Sequence, residues 1–263
     1  MTAKSRCKFL SVAGAIMLGG LSVQHAARAD EPSNVDRCAA IAAQMNLGAP
    51  VAHTAAKLKR NESITIVALG SSSTTGFGTL DPAFPEVLKR ELARRHPSLQ
   101  VKMIGSGRLF DTIPGSLDRI DNDVLRYRPD LVIWQLGTND VLWHGFGADA
   151  KGEVRRGVQR MKKANADVIL MDLQDAPLIR AKSSHRDMEK LIADVAREES
   201  VGLFPRYEIM KRADKDGISG LVALDGLHNS GAGYRCIGLA LARMIDKDDL
   251  PAKRPPLPTT RSQ

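Results

Sequence analysis

Short β-branched runs alternate with amphipathic stretches from residue 63 almost to the end of this chain, and that alternation permits few architectures. Residues 63–69 (Ser-Ile-Thr-Ile-Val-Ala-Leu), 99–104, 130–136, 166–173 and 201–204 read as strands. Between them, Phe84, Leu88 and Leu92 recur every four residues and predict a helix over 85–95. Further helices are expected over 117–127, over 151–164 and over 185–199, the last on Met188, Leu191, Ile192 and Val195. A closing helix over 234–245 carries Ile237, Leu241 and Ile245 on one stripe. Strands separated by helices cannot pair as hairpins, so the expected fold is α/β: a parallel sheet of about five strands with helices on both faces. Ligands of such sheets bind where the strands end at their carboxyl edge.

The first 29 residues are set apart from this pattern. Lys4, Arg6 and Lys8 precede an uncharged apolar run over 9–23, and Ala27-Arg28-Ala29 has the small-x-small form of a leader-peptidase site. A run of about fifteen residues falls short of the roughly 18 that a membrane span needs. The expectation is a signal peptide over 1–29, cleaved near Ala29, and export to the periplasm or beyond; a retained anchor is the alternative. The remaining roughly 230 residues suit one domain, with a helical extension over 30–60, the main domain over 61–249 and a tail over 250–263 containing Pro251, Pro255, Pro256 and Pro258. Half of the formal charge of +8 leaves with Lys4, Arg6, Lys8 and Arg28. With aromatics at 4% and no basic-aromatic array, nucleic acid is not an expected partner. Cys38 and Cys236 survive processing and can close a disulfide in an oxidising compartment, two separate thiols being the alternative. No Cys/His cluster has metal-ligand spacing, so neither metal nor organic cofactor is expected.

Four short stretches carry the chemistry: Gly70-Ser71-Ser72-Ser73-Thr74-Thr75-Gly76, Gly105-Ser106-Gly107, Gly137-Thr138-Asn139-Asp140 and Asp225-Gly226-Leu227-His228. The first three fall just past predicted strands, on one edge of the sheet. Together they offer a serine, Gly-flanked backbone, an asparagine amide and an Asp/His pair, which are the parts that acyl transfer needs. These blocks resemble those of the SGNH (GDSL-type) hydrolases over roughly residues 63–246. The resemblance implies a flavodoxin-like three-layer α/β/α sandwich and hydrolysis of esters. It also implies Ser72 as nucleophile in the frame of Gly70 and Gly76, with Ser71 where that family commonly has Asp. His228 is then the base and Asp225 its orienting carboxylate. The oxyanion hole would comprise the Ser72 N–H, the Asn139 amide and the N–H of Gly107, with Gly105 the alternative in the second block. The Asn that often precedes that glycine is missing.

Trp143 and His144 follow the third block and can line a substrate pocket or simply pack in a loop. His96 is expected to cap a helix end, His53 and His185 show no partner pattern, and all three are expected to face solvent. Met161, Met171 and Met188 fit core positions. The expected function is an exported serine esterase working through an acyl-enzyme on a small-molecule or polysaccharide ester, short acyl groups such as acetyl on carbohydrate first among them. A lysophospholipase or thioesterase is the rival within the class. A catalytically degenerate envelope protein that binds carbohydrate is the rival outside it.

Overall fold

The computed structural model describes residues 33–144 and 146–247. The expected signal peptide and its cleavage site, and the proline-rich tail, lie outside the described residues, as does the side chain of His144. Helices α1 (Asn34–Ala42) and α2 (Ala52–Lys59) lead into β1 (Ile64–Gly70), the short α3 (Ser72–Thr75) and α4 (Phe84–Arg95). Strand β2 (Val101–Gly107) is followed by α5 (Ile113–Asp118), α6 (Ile120–Asp123) and a 3-10 turn, then by β3 (Leu131–Gln135) and a π-turn over Asp140–His144. The chain continues through α7 (Ala150–Lys163), β4 (Asp167–Met171), α8 (Pro177–Arg180), α9 (His185–Glu198), β5 (Gly202–Phe204), α10 (Arg206–Lys215) and α11 (Gly231–Lys247).

The five-stranded parallel sheet anticipated from the alternation forms in the order β2-β1-β3-β4-β5. Side chains of a strand point alternately to its two faces, so each central strand feeds two cores. Ile64, Ile66 and Ala68 pack with Phe84, Leu88 and Leu92 of α4 and Ile237, Leu241 and Ile245 of α11. Val67 and Leu69 face the other layer, with Val154, Val158 and Met161 of α7 and Met188, Ile192 and Val195 of α9. The three-layer sandwich follows from this division. Met161, Met171 and Met188 are fully buried core residues.

Three local expectations are corrected. The helix expected over 117–127 is broken into α5, α6 and the 3-10 turn, with the backbone leaving helical geometry at Arg119 (φ −105°, ψ 5°). There the Arg119 side chain is drawn away to the strand ends described below. Strand β2 runs to Gly107 rather than to 104, because ladder bonds are made by backbone and continue through Gly-Ser-Gly to the pair Gly70–Gly107. Helix α10, which periodicity alone did not mark, buries Tyr207, Ile209, Met210 and Ala213.

Residues before β1 are built into the main core. Leu47, Val51 and Leu58 are buried there, and Leu203 N–H of β5 donates to the Leu47 carbonyl at 2.7 Å. Cys38 of α1 and Cys236 of α11 form a disulfide with Cα atoms 5.8 Å apart. It spans 198 positions of sequence, so its loss frees a long loop in the unfolded chain. Replacing both cysteines with serine is expected to lower unfolding free energy by about 2–5 kcal/mol. Urea titration followed by tryptophan emission would measure it, and wild-type protein in reductant should behave like the variant.

Candidate active site

The chain leaves β1, first adds β2 on one side and then β3 on the other, so β1 marks the topological switch point of the sheet. Its carboxyl end therefore faces a crevice bounded by the ends of both neighbours, and α3 starts there with Ser72 at its first position. Three consecutive serines have three different environments. The Ser71 N–H and hydroxyl both donate to Oε1 of Gln135, at 2.9 and 3.1 Å, and Ser73 is buried. Only Ser72 meets the last block, its Oγ lying 2.8 Å from His228 Nε2.

His228 Nδ1 is 2.6 Å from Asp225 Oδ2. The other oxygen of that carboxylate accepts the Leu227 and His228 N–H groups, both at 2.9 Å, so the loop is folded around its own acid. Gly226 adopts the left-handed φ of +71° that this tight turn requires. Partial burial pushes the Asp225 carboxyl up, but the Leu227 N–H, the imidazole and the His228 N–H outweigh it and hold the pKa below the usual carboxylate range. An ionised Asp225 selects the Nδ1–H tautomer of His228, leaving Nε2 free to accept from the Ser72 hydroxyl. The Phe77 ring lies against the imidazole, centroids 4.8 Å apart.

Asn139 follows β3 and is buried, one amide N–H donating to the Asp111 carbonyl at 2.8 Å. An amide nitrogen carries two hydrogens, so the second remains available. Gly107 at the end of β2 packs directly on the turn that carries Ser72: a Cβ there would stand 2.6 Å from Thr75 Cγ2 and 2.9 Å from the Ser71 carbonyl oxygen. At Gly105 a Cβ would meet nothing within 4 Å. Trp143 is exposed on the π-turn beyond Asn139.

Residues not singled out in the sequence fix these groups in place. Oε1 of Gln135, at the end of β3, accepts from Ser71 twice and from the Thr74 hydroxyl at 3.2 Å, so one buried atom anchors the turn. Gln174, fully buried after β4, accepts from the Thr138 hydroxyl at 3.0 Å and donates to the Leu227 carbonyl at 3.1 Å, joining the third block to the histidine loop. Arg206 donates to the same Gln174 oxygen at 2.7 Å. Arg119 Nη2 donates to the Gly70 and Ser106 carbonyls, both at 3.0 Å, and its guanidinium also binds Asp111, whose own carbonyl holds Asn139. Polar residues at these positions carry no local signature in the sequence; their partners come from other strands.

Of the other histidines expected to face solvent, His53 is exposed, whereas His96 is half-buried and His185 is buried. His185 is buried against Tyr207, Nε2 to Oη 3.3 Å, and its Nδ1 lies 2.6 Å from the Lys182 carbonyl. His53 pairs with Asp130 at 2.9 Å and His96 with Asp246 at 3.0 Å, so each is held by a partner remote in sequence.

A serine hydroxyl, imidazole and carboxylate in hydrogen-bonded series are the equipment for attack on a carbonyl carbon. The chain belongs to the non-GDSL lipase-like family, whose model matches residues 37–248. Among solved structures it is similar to a lipase/acylhydrolase from Enterococcus faecalis, at 24% identity, with 70% of this chain and 96% of that one covered and a TM-score of 0.60. It is also similar to a catalytic mutant of Axe2, an acetylxylan esterase from Geobacillus stearothermophilus (19% identity, 69% and 94% covered, TM-score 0.60). A third likeness is to a two-domain esterase (CEX) active on acetylated mannans, with 19% identity, 74% and 52% covered and a TM-score of 0.62. These likenesses place the fold among the SGNH hydrolases. A search of curated proteins gave no match.

The glycine geometry makes a direct test. Gly107→Ala is expected to displace the nucleophile turn, lowering kcat for a soluble ester by about tenfold or more, as sub-ångström misplacement of reacting groups does. Gly105→Ala, which points into open space, should change kcat by less than about twofold. Steady-state kinetics of the two variants, with circular dichroism as a folding control, would measure the difference.

Proposed function

We propose that the protein is a serine esterase that cleaves carboxylic esters through a covalent acyl-enzyme. The observation that carries this reading is the continuous chain Ser72–His228–Asp225, at 2.8 and 2.6 Å. In the proposed cycle Ser72 Oγ attacks the ester carbonyl as His228 Nε2 takes its proton, and Asp225 stabilises the imidazolium. The tetrahedral oxyanion is met by the N–H groups of Ser72 and Gly107 and by the free amide hydrogen of Asn139. His228 returns the proton to the departing alcohol, and water repeats the sequence on the acyl-enzyme to release the acid.

The likeness to esterases of acetylated xylan and mannan supports short acyl groups on carbohydrate as the first substrates to test. A second reading, an acylhydrolase acting on an amphiphile, is favoured by apolar side chains exposed on the loops around Ser72. No helix among the described residues is long and apolar enough to cross a membrane. Export after cleavage of residues 1–29 remains part of this proposal, and the Cys38–Cys236 bond supports an oxidising destination.

Ser72→Ala is expected to abolish hydrolysis of nitrophenyl acetate and labelling by a fluorophosphonate probe, with an unchanged circular dichroism spectrum; turnover at the wild-type rate would refute the nucleophile. Asn139→Ala should lower kcat by about 10²–10³ with little change in KM, because an oxyanion donor acts mainly in the transition state. A change confined to KM would remove Asn139 from that role.

A further inference from the structure

Seven large apolar side chains are exposed among the described residues, and all seven lie in the connections that follow the strands at the carboxyl edge of the sheet or in the loop before α11. Phe77 and Leu80 follow β1, Leu109 and Phe110 follow β2, Trp143 follows β3, Leu178 follows β4, and Leu224 stands beside Asp225. A folded surface normally scatters such residues, and their confinement to one edge marks an interaction site. The loops are also joined to one another. The Asp111 carbonyl ties the Phe110 loop to Asn139, and α8 packs against the π-turn that carries Trp143. Leu178 N–H donates to the Gly226 carbonyl at 3.1 Å, and Phe77 lies on His228. Gly107 closes the circuit against α3.

We propose that this collar seats the catalytic edge on an uncharged lipid–water surface, so that the ester it cleaves is presented by an amphiphile. The inference rests on the esterase reading, taken in its second form of an acylhydrolase acting on an amphiphile, for its substrate and on the collar for its docking. Leu80 and Leu224, at 107% and 108% relative exposure, stand clear of all packing, and an aliphatic side chain there gains free energy only in an apolar medium. A sugar surface would reward hydrogen-bonding groups and flat rings, whereas four of the seven side chains are leucines. Charge selects the kind of surface. The collar's arginines are already paired, Arg108 with Asp111 at 2.8 Å and Arg180 with Asp175 at 2.9 Å, and Asp81 and Asp225 add acid at the rim. A zwitterionic surface therefore suits the collar better than an anionic one.

The full chain would be mixed with phosphatidylcholine vesicles, and binding followed by co-sedimentation and tryptophan emission. Trp134 is fully buried, so a blue shift reports Trp143. Expected are a blue shift and sedimentation that persist in about 0.5 M salt, where charge attraction is screened within a few ångströms. The double variant Leu80→Ser/Leu224→Ser should bind at least about tenfold more weakly, with unchanged turnover of soluble nitrophenyl acetate. No binding by wild type overturns the proposal. So does equal binding by the variant, which would assign attachment to the apolar run 9–23 common to both. Binding confined to phosphatidylglycerol vesicles and erased by salt, or a blue shift produced by protein concentration alone, overturns it as well. Ser72→Ala should bind vesicles like wild type. If that variant still turned over nitrophenyl acetate, the esterase reading would fail while the docking result stood.

Discussion

The pairing of β1 between β2 and β3 is the constraint on which everything at this site depends. A parallel strand in the centre of a sheet is held by ladders on both sides, so its end cannot drift. Ser72 begins at that end, two residues beyond Gly70, which is itself in register with Gly107. Asn139 comes from the other neighbour, after β3. Shifting either register would separate the serine from one wall of the crevice. The two cores enforce the register, because a one-residue slip would turn Ile64, Ile66 and Ala68 away from α4 and α11.

Backbone pairing alone would leave loose turns, and buried polar side chains tighten them. Gln135 gathers three donors from the nucleophile turn on one oxygen, and Gln174 links the asparagine block to the histidine loop. Arg119 does the same for the ends of β1 and β2. Buried hydrogen-bonding groups are costly unless satisfied, so the contacts of the Gln135 oxygen, of Gln174 and of Arg119 favour the correct arrangement of their loops, although the Gln135 amide nitrogen itself is buried without a partner. Gln135 anchors the first block from the neighbouring strand through Ser71 and Thr74.

The same edge that concentrates polar order beneath the surface concentrates apolar exposure on it. Elsewhere the large hydrophobic side chains of the described residues are at least partly buried, and the helices show paired charges such as Arg155 with Glu198. Rigid attachment matters there. A collar mounted on loops tied to one another and to the sheet loses little freedom when it meets a surface, so little of its apolar gain is offset by ordering. The disulfide between α1 and α11 lies in the core shared with α4 and contributes to the scaffold.

How much was legible in the sequence follows from the range over which each signal acts. Strands, most helices and the four short blocks are local patterns that composition and spacing expose, and of the three serines it is Ser72 that lies against His228. Where a tertiary partner overrode local preference, the reading failed: at Arg119, pulled to the strand ends, at Gly-Ser-Gly, kept in the ladder by β1, and at His185, buried beneath Tyr207. Gln135, Gln174 and Arg119 were invisible because each binds residues at least 32 positions away in its decisive contact, and no pattern in a window records that. The sequence by itself determined the α/β layering and which residues could do chemistry. Only the tertiary structure decided that Ser72, His228 and Asp225 meet, and that the exposed leucines share their edge of the sheet, because proximity across a sheet is set by strand order rather than by chain order.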